Sequence, residues 1–178
     1  FPIHISSLEG VKETDVSIYD GIITIEDSTE EHPFRYLGSY PQQLVLCFDD
    51  ISVPLDDFIE PQEKHILRAL SFAEKIDGGS ILIHCHAGIS RSSAIALAII
   101  AKKLGKGKEV ESVKILEKIN PHARPNKLLV WLTDEILERN QFLLSPLLLK
   151  EHQLNHYYPH RKKWICTYHR IARLEFYN

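Results

Sequence analysis

The stretch Ile81-Leu82-Ile83-His84-Cys85-His86-Ala87-Gly88-Ile89-Ser90-Arg91-Ser92 decides how the rest of the chain is read. It opens with residues apolar enough for a buried strand, and Ser92 to Leu104, rich in alanine and isoleucine, is apolar on nearly every side, as in a helix at the centre of a domain. The short link between them contains one glycine. Backbone N–H groups at a helix start lack partners, the macrodipole adds partial positive charge there, and Gly88 permits the dihedrals that turn several amides toward one point. The loop is therefore read as an anion nest, with phosphate or sulfate as the expected occupant. Arg91 adds a planar fork that grips two oxygens of a tetrahedral oxyanion. The same positive field acts on Cys85 at the mouth of the nest. A free thiol has a pKa near ~8.5, and helix N-termini with nearby cations lower it to about 3.5 to 7.5, so a thiolate nucleophile is expected. Ser92 is placed to donate a hydrogen bond to the sulfur, and the His84 ring to steady the loop through its backbone.

Working outward, Phe1 to Ile5, Gly21 to Ile25, Leu44 to Phe48 and Ser80 to His84 read as short buried strands. Pro61 to Ile76 reads as a helix with one apolar face and a stop at Gly78-Gly79, and Gly105 and Gly107 end the helix from Ser92. Val110 to Ile119 and Leu128 to Leu143 show helical spacing, separated by Asn120-Pro121 and Arg124-Pro125-Asn126. Strands alternating with helices predict an α/β fold, a central mostly parallel sheet flanked by helices, with the anion loop between a strand and a helix.

The whole chain has 178 residues, of which 44% are hydrophobic and 25% charged, which excludes a disordered chain, a fibre and a disulfide scaffold. No apolar run suggests a bilayer span, and the residues after Phe1-Pro2 lack the pattern of a secretory signal. The cysteines, Cys47, Cys85 and Cys166, have no disulfide or metal-knuckle spacing, so a reducing, cytoplasmic home is expected. Charge divides the chain: residues 1–144 carry 15 Lys+Arg against 22 Asp+Glu, a net of −7, and residues 145–178 carry 6 against 2, a net of +4. Two parts are read from this, a catalytic domain over 1–144 and a basic aromatic C-terminal extension over 145–178.

His84 to Ser92 resembles the signature of cysteine-dependent protein tyrosine and dual-specificity phosphatases, Ala87 to Ser92 in its dual-specificity form. Arg124-Pro125-Asn126 looks like that family's segment after the fifth helix, and the element order to about residue 142 is similar to a compact bacterial member. The resemblance implies the cysteine-phosphatase fold and hydrolysis of phosphate monoesters through a phosphocysteine, without metal or cofactor. Cys85, Arg91 and Ser92 would be catalytic; His86, Ala87, Gly88, Ile89, Ser90 and Arg91 would bind phosphate; His84 and Asn126 would support them. It also places a general-acid Asp after the strand that precedes the Pro61 helix. Asp49, Asp50, Asp56 and Asp57 all stand there; Asp50, leading a proline-containing loop just past the strand, is the choice.

The expected partner is a phosphorylated protein, on tyrosine, with serine and threonine admitted by a shallow cleft. Glu30 to Gln42, with Phe34, Arg35, Tyr36 and Tyr40, is long and aromatic enough to wall the cleft. The extension interleaves Lys and Arg with aromatics, a pattern that nucleic acid or a membrane surface can use, but packing on the acidic body is preferred and no nucleic acid is expected. His152, His156, His160 and His169 form no convincing chelating set, so no metal is assigned. A weak or inactive phosphate-binding module, a sulfurtransferase, and a phosphoinositide or RNA-end phosphatase are the rival readings; Cys47 or Cys166 could serve Cys85 as a redox partner.

Overall fold

Four strands, β1 (Ile3–Ser6), β2 (Gly21–Glu26), β3 (Gln42–Cys47) and β4 (Ile81–His84), form a parallel sheet in the order β1-β4-β2-β3 in the computed structural model, which describes residues 2–140 and 142–147. The run Ile22-Ile23-Thr24-Ile25 and the run Ile81-Leu82-Ile83 are apolar without alternation because both faces of the sheet are covered. Ile22 pairs in register with Leu82, and both pack against Val11, Val16 and Tyr19. Those residues come from α1 (Leu8–Glu13), capped by the Ser7 hydroxyl, and from a 3-10 turn (Val16–Ile18). Ile23 pairs with Ile83 one residue on, so both point to the opposite face. There lie α2 (Glu63–Ile76) and α3 (Arg91–Leu104), with α4 (Glu109–Ile119) and α5 (Lys127–Ile136) packed against α3. α3 is buried from Arg91 through Ala101, which explains its apolar composition all round. Side chains such as Ile95, Leu97 and Ile100 each stabilise the fold by about 1.5–3 kcal/mol when fully buried.

Because the strands are parallel, the loops that follow β2, β3 and β4 leave from one edge of the sheet, where α/β sheets bind ligands. Residues up to Leu144 form one compact unit. The extension from residue 148 onward, with its basic, aromatic and histidine residues and Cys166, lies outside the described residues.

The four strands and three of the four helices fall where the sequence places them, within a few residues. The helix expected over Leu128 to Leu143 instead stops at Ile136. Glu138 and Asn140 adopt positive φ of 53° and 51°, and the Asp134 carboxylate accepts the Leu143 and Leu144 N–H groups at 3.0 Å each, folding the chain back. Arg139 turns inward there to meet Glu109 at 3.0 Å. The short helix α1 has only six residues, too few for a periodic signal, and was not anticipated.

Two buried histidines hold neutral rings. His65 stacks on Phe48 with centroids 4.6 Å apart, and its Nδ1 accepts the Gln62 N–H at 3.0 Å. Burial, helped by Lys64 and Arg68, lowers its pKa to about 4. His84 is lowered to about 4 chiefly by burial, with the Cys85 backbone opposing and Arg35 and Lys12 contributing. Both charge on unfolding below about pH 6.5, so the unfolded chain binds more protons between about pH 6.5 and 4. Stability is thus expected to fall as pH drops through that window, by up to about 1.4 kcal/mol per pH unit for each ring. Urea unfolding from pH 7 to 5 measures this slope, and His65→Gln is expected to flatten it; an unchanged slope would refute the role given to His65.

Candidate active site

β4 ends at His84 and α3 begins at Arg91, leaving Cys85–Ser90 as the connecting loop. Its carbonyls are tied outward. His86 O accepts the Leu8 N–H at 3.1 Å, Ile89 O the Arg124 N–H at 2.9 Å, and Ser90 O the Ala94 and Asn126 N–H groups at 3.0 and 3.3 Å. Gly88 O accepts the Asn120 Nδ2 amide at 2.9 Å, and the same amide reaches Ser93 Oγ at 3.3 Å. With the carbonyls of His86, Gly88, Ile89 and Ser90 engaged by α1, α3 and the α4–α5 link, the loop is held from outside, and Gly88 N–H donates to Cys85 Sγ at 3.3 Å. Gly88 itself has φ +72°, and a Cβ there would stand 2.7 Å from the Ser6 carbonyl carbon and 2.8 Å from Ser7 N. Only glycine fits both constraints.

Cys85 is 2% exposed, and Ser92 Oγ lies 3.3 Å from its sulfur. The sulfur's residue lines a small cavity together with Asp27, Glu30, Phe34, His84 and His86, the last of them exposed to solvent. Arg91 is 3% exposed and is held by one nitrogen: Nη1 donates to the Phe48 carbonyl at 2.8 Å and pairs with Asp27 Oδ1 at 2.8 Å. Its buried Nε has no hydrogen-bond partner. A buried donor left unpaired costs about 1–3 kcal/mol, more for a charged group, so the guanidinium is poised to gain from an arriving oxyanion.

The four candidate acids part company. Asp49 is 4% exposed and points away from the loop, accepting Ser28 N–H at 2.9 Å and Ile59 N–H at 2.7 Å. Burial alone would raise its carboxyl; the Ile59 and Ser28 hydrogen bonds, with Arg91 nearby, outweigh that and hold it below the usual range. Asp50 is exposed and faces the loop: Oδ1 accepts Ser90 Oγ at 2.7 Å and Asn126 Nδ2 at 2.8 Å. Asn126 Nδ2 also donates to Ile51 O at 3.0 Å, and its Oδ1 caps α5 by accepting Leu129 N–H at 3.1 Å. Asp56 and Asp57 are exposed in the turn beyond, Asp57 with φ 66°.

Of the supporting residues, His84 directs Nε2 to Thr24 Oγ1 at 2.9 Å, across to β2, while its buried Nδ1 beside the Cys85 backbone lacks a well-formed hydrogen bond. The ring therefore ties β4 to β2 beneath the loop, and it also interacts with the Cys85 backbone, in the sense sequence reading expected. Phe34 stacks edge-on against it at 5.5 Å, so the front of the Glu30–Gln42 segment lines the cavity. The rear does not: Tyr36 donates to Tyr40 O at 2.7 Å, and the Tyr40 hydroxyl bonds Asp20 before β2. Cys47 and Cys85 are free thiols at the ends of β3 and β4, separated by β2. Two strand spacings are about 10 Å, beyond the reach of a disulfide without backbone movement. Asp27, Glu30 and His86 bring one ligand atom each within 4.8 Å of one another, yet Asp27 already neutralises Arg91 and Glu30 accepts the His32 N–H.

Sequence reading missed Asp27, Asn120 and the Phe48 carbonyl. Asn120 stood out only as a helix breaker, and Asp27 carries no local signal, because its partner is 64 positions away.

The loop and its immediate neighbours thus bring together a thiol that receives one loop amide, a buried guanidinium at the start of α3 and a carboxyl bonded to Ser90. Comparison with known proteins agrees in kind. Residues 46–128 match the family model described as protein-tyrosine phosphatase. Human dual specificity protein phosphatase 12 is 37% identical over 134 residues, 72% of this chain and 37% of that protein. Human dual specificity protein phosphatase 15 is 33% identical over 89 residues, 48% of this chain and 30% of that protein. The chain thus spans about a third of the length of these relatives. Among solved structures, human DUSP28 superposes with a TM-score of 0.61 at 16% identity, over 79% of this chain and 95% of that one.

Removing the Asn120 tie should loosen the loop. Asn120→Ala is expected to weaken binding of inorganic phosphate by about tenfold, the worth of one buried hydrogen bond, and Gly88→Ala to abolish it. Calorimetric titration checks both, and undiminished binding by Gly88→Ala would overturn the geometry described.

Proposed function

We propose that the chain, a dual-specificity-like member of the cysteine-dependent protein tyrosine phosphatase superfamily, hydrolyses phosphate monoesters on proteins through a phosphocysteine at Cys85. The observation that carries this reading is the pairing, in one loop, of the Cys85 sulfur receiving the Gly88 N–H with a buried arginine whose Nε is unpartnered.

In this proposal, Arg91 and the amides from His86 to Arg91 hold the phosphate. The Cys85 thiolate attacks phosphorus, the bond to the departing oxygen breaks, and Asp50 gives that oxygen its proton. Asp50, now a carboxylate, takes a proton from water; the resulting hydroxide attacks phosphorus and the sulfur leaves as thiolate, stabilised by the Ser92 hydroxyl. Phosphate departs and the cycle closes without metal or cofactor. Asp50 is preferred over its neighbours because its carboxyl already rests on Ser90 of the loop, whereas Asp49 spends both oxygens on backbone amides. Asn126 positions Asp50 from behind. Phosphotyrosine is the leading substrate, with phosphoserine and phosphothreonine admitted if the cleft is shallow. We assign the catalytic part to residues 1–144 and treat 145–178 as an accessory extension. No helix among the described residues is long and apolar enough to cross a membrane, and free thiols at Cys47 and Cys85 suit the reducing cytoplasm we assign.

Cys85→Ser is expected to abolish turnover of an aryl phosphate while keeping phosphate binding, and Asp50→Ala to slow it by roughly 10^2 to 10^4. Steady-state assays on an aryl phosphate, phosphotyrosine and phosphothreonine peptides and a phosphoinositide decide the matter. Undiminished activity in Asp50→Ala would move the proton to another group, and preference for the phosphoinositide would move the substrate class to lipid.

A further inference from the structure

Charge is distributed unevenly around the mouth of this site. Residues 13–60, which supply the loops leaving β2 and β3, contain twelve Asp and Glu and a single Lys or Arg, Arg35. Arg35 is gripped by both carboxylate oxygens of Glu26, at 2.7 and 3.0 Å, so it compensates that carboxylate alone; from outside this segment come Arg91, paired with Asp27, and Lys12, whose Nζ donates to the His32 carbonyl at 3.1 Å. Three of them touch side chains of the phosphate loop: Asp27 meets Arg91 at 2.8 Å, Asp50 meets Ser90 at 2.7 Å, and Glu30 faces His86 at 4.0 Å. Arg91 neutralises the first, and the second delivers the proton in the reaction proposed above. Glu30 has neither duty. Its Oε1 accepts the His32 N–H at 3.0 Å, which fixes the side chain, and its Oε2 turns toward His86 on the wall of the cavity that Cys85 also lines. Glu31 beside it, and Asp56 and Asp57 on the β3 loop, are exposed. On the α4–α5 side the neighbouring cation is Arg124, exposed next to the loop.

A carboxylate held beside a site for a phosphate dianion is unfavourable unless something cationic arrives with the substrate. We propose that the site selects phosphoproteins with lysine or arginine close to the phosphoresidue, that Glu30 reads that cation, and that acidic flanks are rejected by like charge. The proposal rests on the phosphatase reading and narrows its substrate class. Arginine would meet Glu30 through two parallel hydrogen bonds and lysine through one ammonium, so arginine is the better fit. Phosphate on an anionic lipid surface would bring the wrong sign toward the same rim.

Three phosphotyrosine peptides of equal length, with arginine, alanine or glutamate flanking the phosphoresidue, test it directly. At low ionic strength kcat/KM is expected to be about tenfold higher for the arginine peptide than for the glutamate peptide, and the ratio to fall toward one in concentrated salt as the charges are screened. Glu30→Gln is expected to reduce the ratio to about threefold and Glu30→Asp to preserve it. Equal or reversed preference in the wild type overturns the proposal; a ratio untouched by Glu30→Gln overturns the assignment to Glu30. If no aryl phosphate is turned over at all, the phosphatase reading fails instead, and the same peptides titrated onto Cys85→Ser still decide: tighter binding of the arginine peptide sustains the charge preference, and equal or weaker binding refutes it.

Discussion

A guanidinium buried to 3% exposure, with one nitrogen shared between the Asp27 carboxylate and the Phe48 carbonyl, is the constraint around which the rest of the structure is arranged. Removing a charge from water costs several kcal/mol unless hydrogen bonds and an opposite charge replace the lost solvent. Here those partners come from the loops after β2 and β3, while Arg91 itself opens α3 after β4. Three elements far apart in sequence are thereby required to end at one place. A parallel sheet supplies that meeting point, because every strand delivers its carboxyl end to the same edge.

Support for the loop is built from its outside. Each carbonyl turned away from the nest is received by a different neighbour, α1 at His86, Asn120 at Gly88, Arg124 at Ile89, and α3 with Asn126 at Ser90. The link between α4 and α5, Asn120 to Asn126, is therefore more than a connection: it braces three consecutive loop carbonyls and, through Asn126, carries Asp50 as well. His65 joins the same chain of contacts from beneath, stacked on the Phe48 ring whose backbone carbonyl holds Arg91.

How much of this the sequence reveals depends on whether the signal is local. His84 to Ser92 is contiguous and its dihedral requirements are visible in the residues themselves, so the strand–loop–helix turn that carries Cys85, Gly88 and Arg91 is legible. Strand and helix order followed from apolar runs for the same reason. The neighbouring pair Asp49 and Asp50 shows where reading stops: consecutive residues in extended chain point to opposite sides, and which side faces the loop is settled by where β3 ends relative to Ser28, Ile59 and Ser90. Asp27 and Asn120 act only through partners distant in the chain. The end of α5 was misjudged because the apolar spacing continues past Ile136, while the turn depends on Asp134 capturing two amides further along.

The electrostatics of the site work at two ranges, and the two have opposite sign. In the reading proposed above the positive field belongs to the nest itself, where the buried Arg91, though paired with Asp27, acts with the loop amides and the start of α3 on the bound phosphate. Further out, on the loops after β2 and β3, exposed carboxylates dominate, and their influence is limited to about 8–10 Å at ordinary ionic strength. A small anion therefore meets repulsion before attraction on that side, and gains only once it enters the nest. Such an arrangement favours a phosphate that arrives attached to a chain able to neutralise the rim on its way in, and it does so without altering any group that touches the reacting atoms. In the proposed reading Glu30 would carry selectivity while Asp50, on the same rim, shares the chemistry with Cys85 and Arg91, so that only part of the rim is free to vary while the loop stays bound by the packing described above.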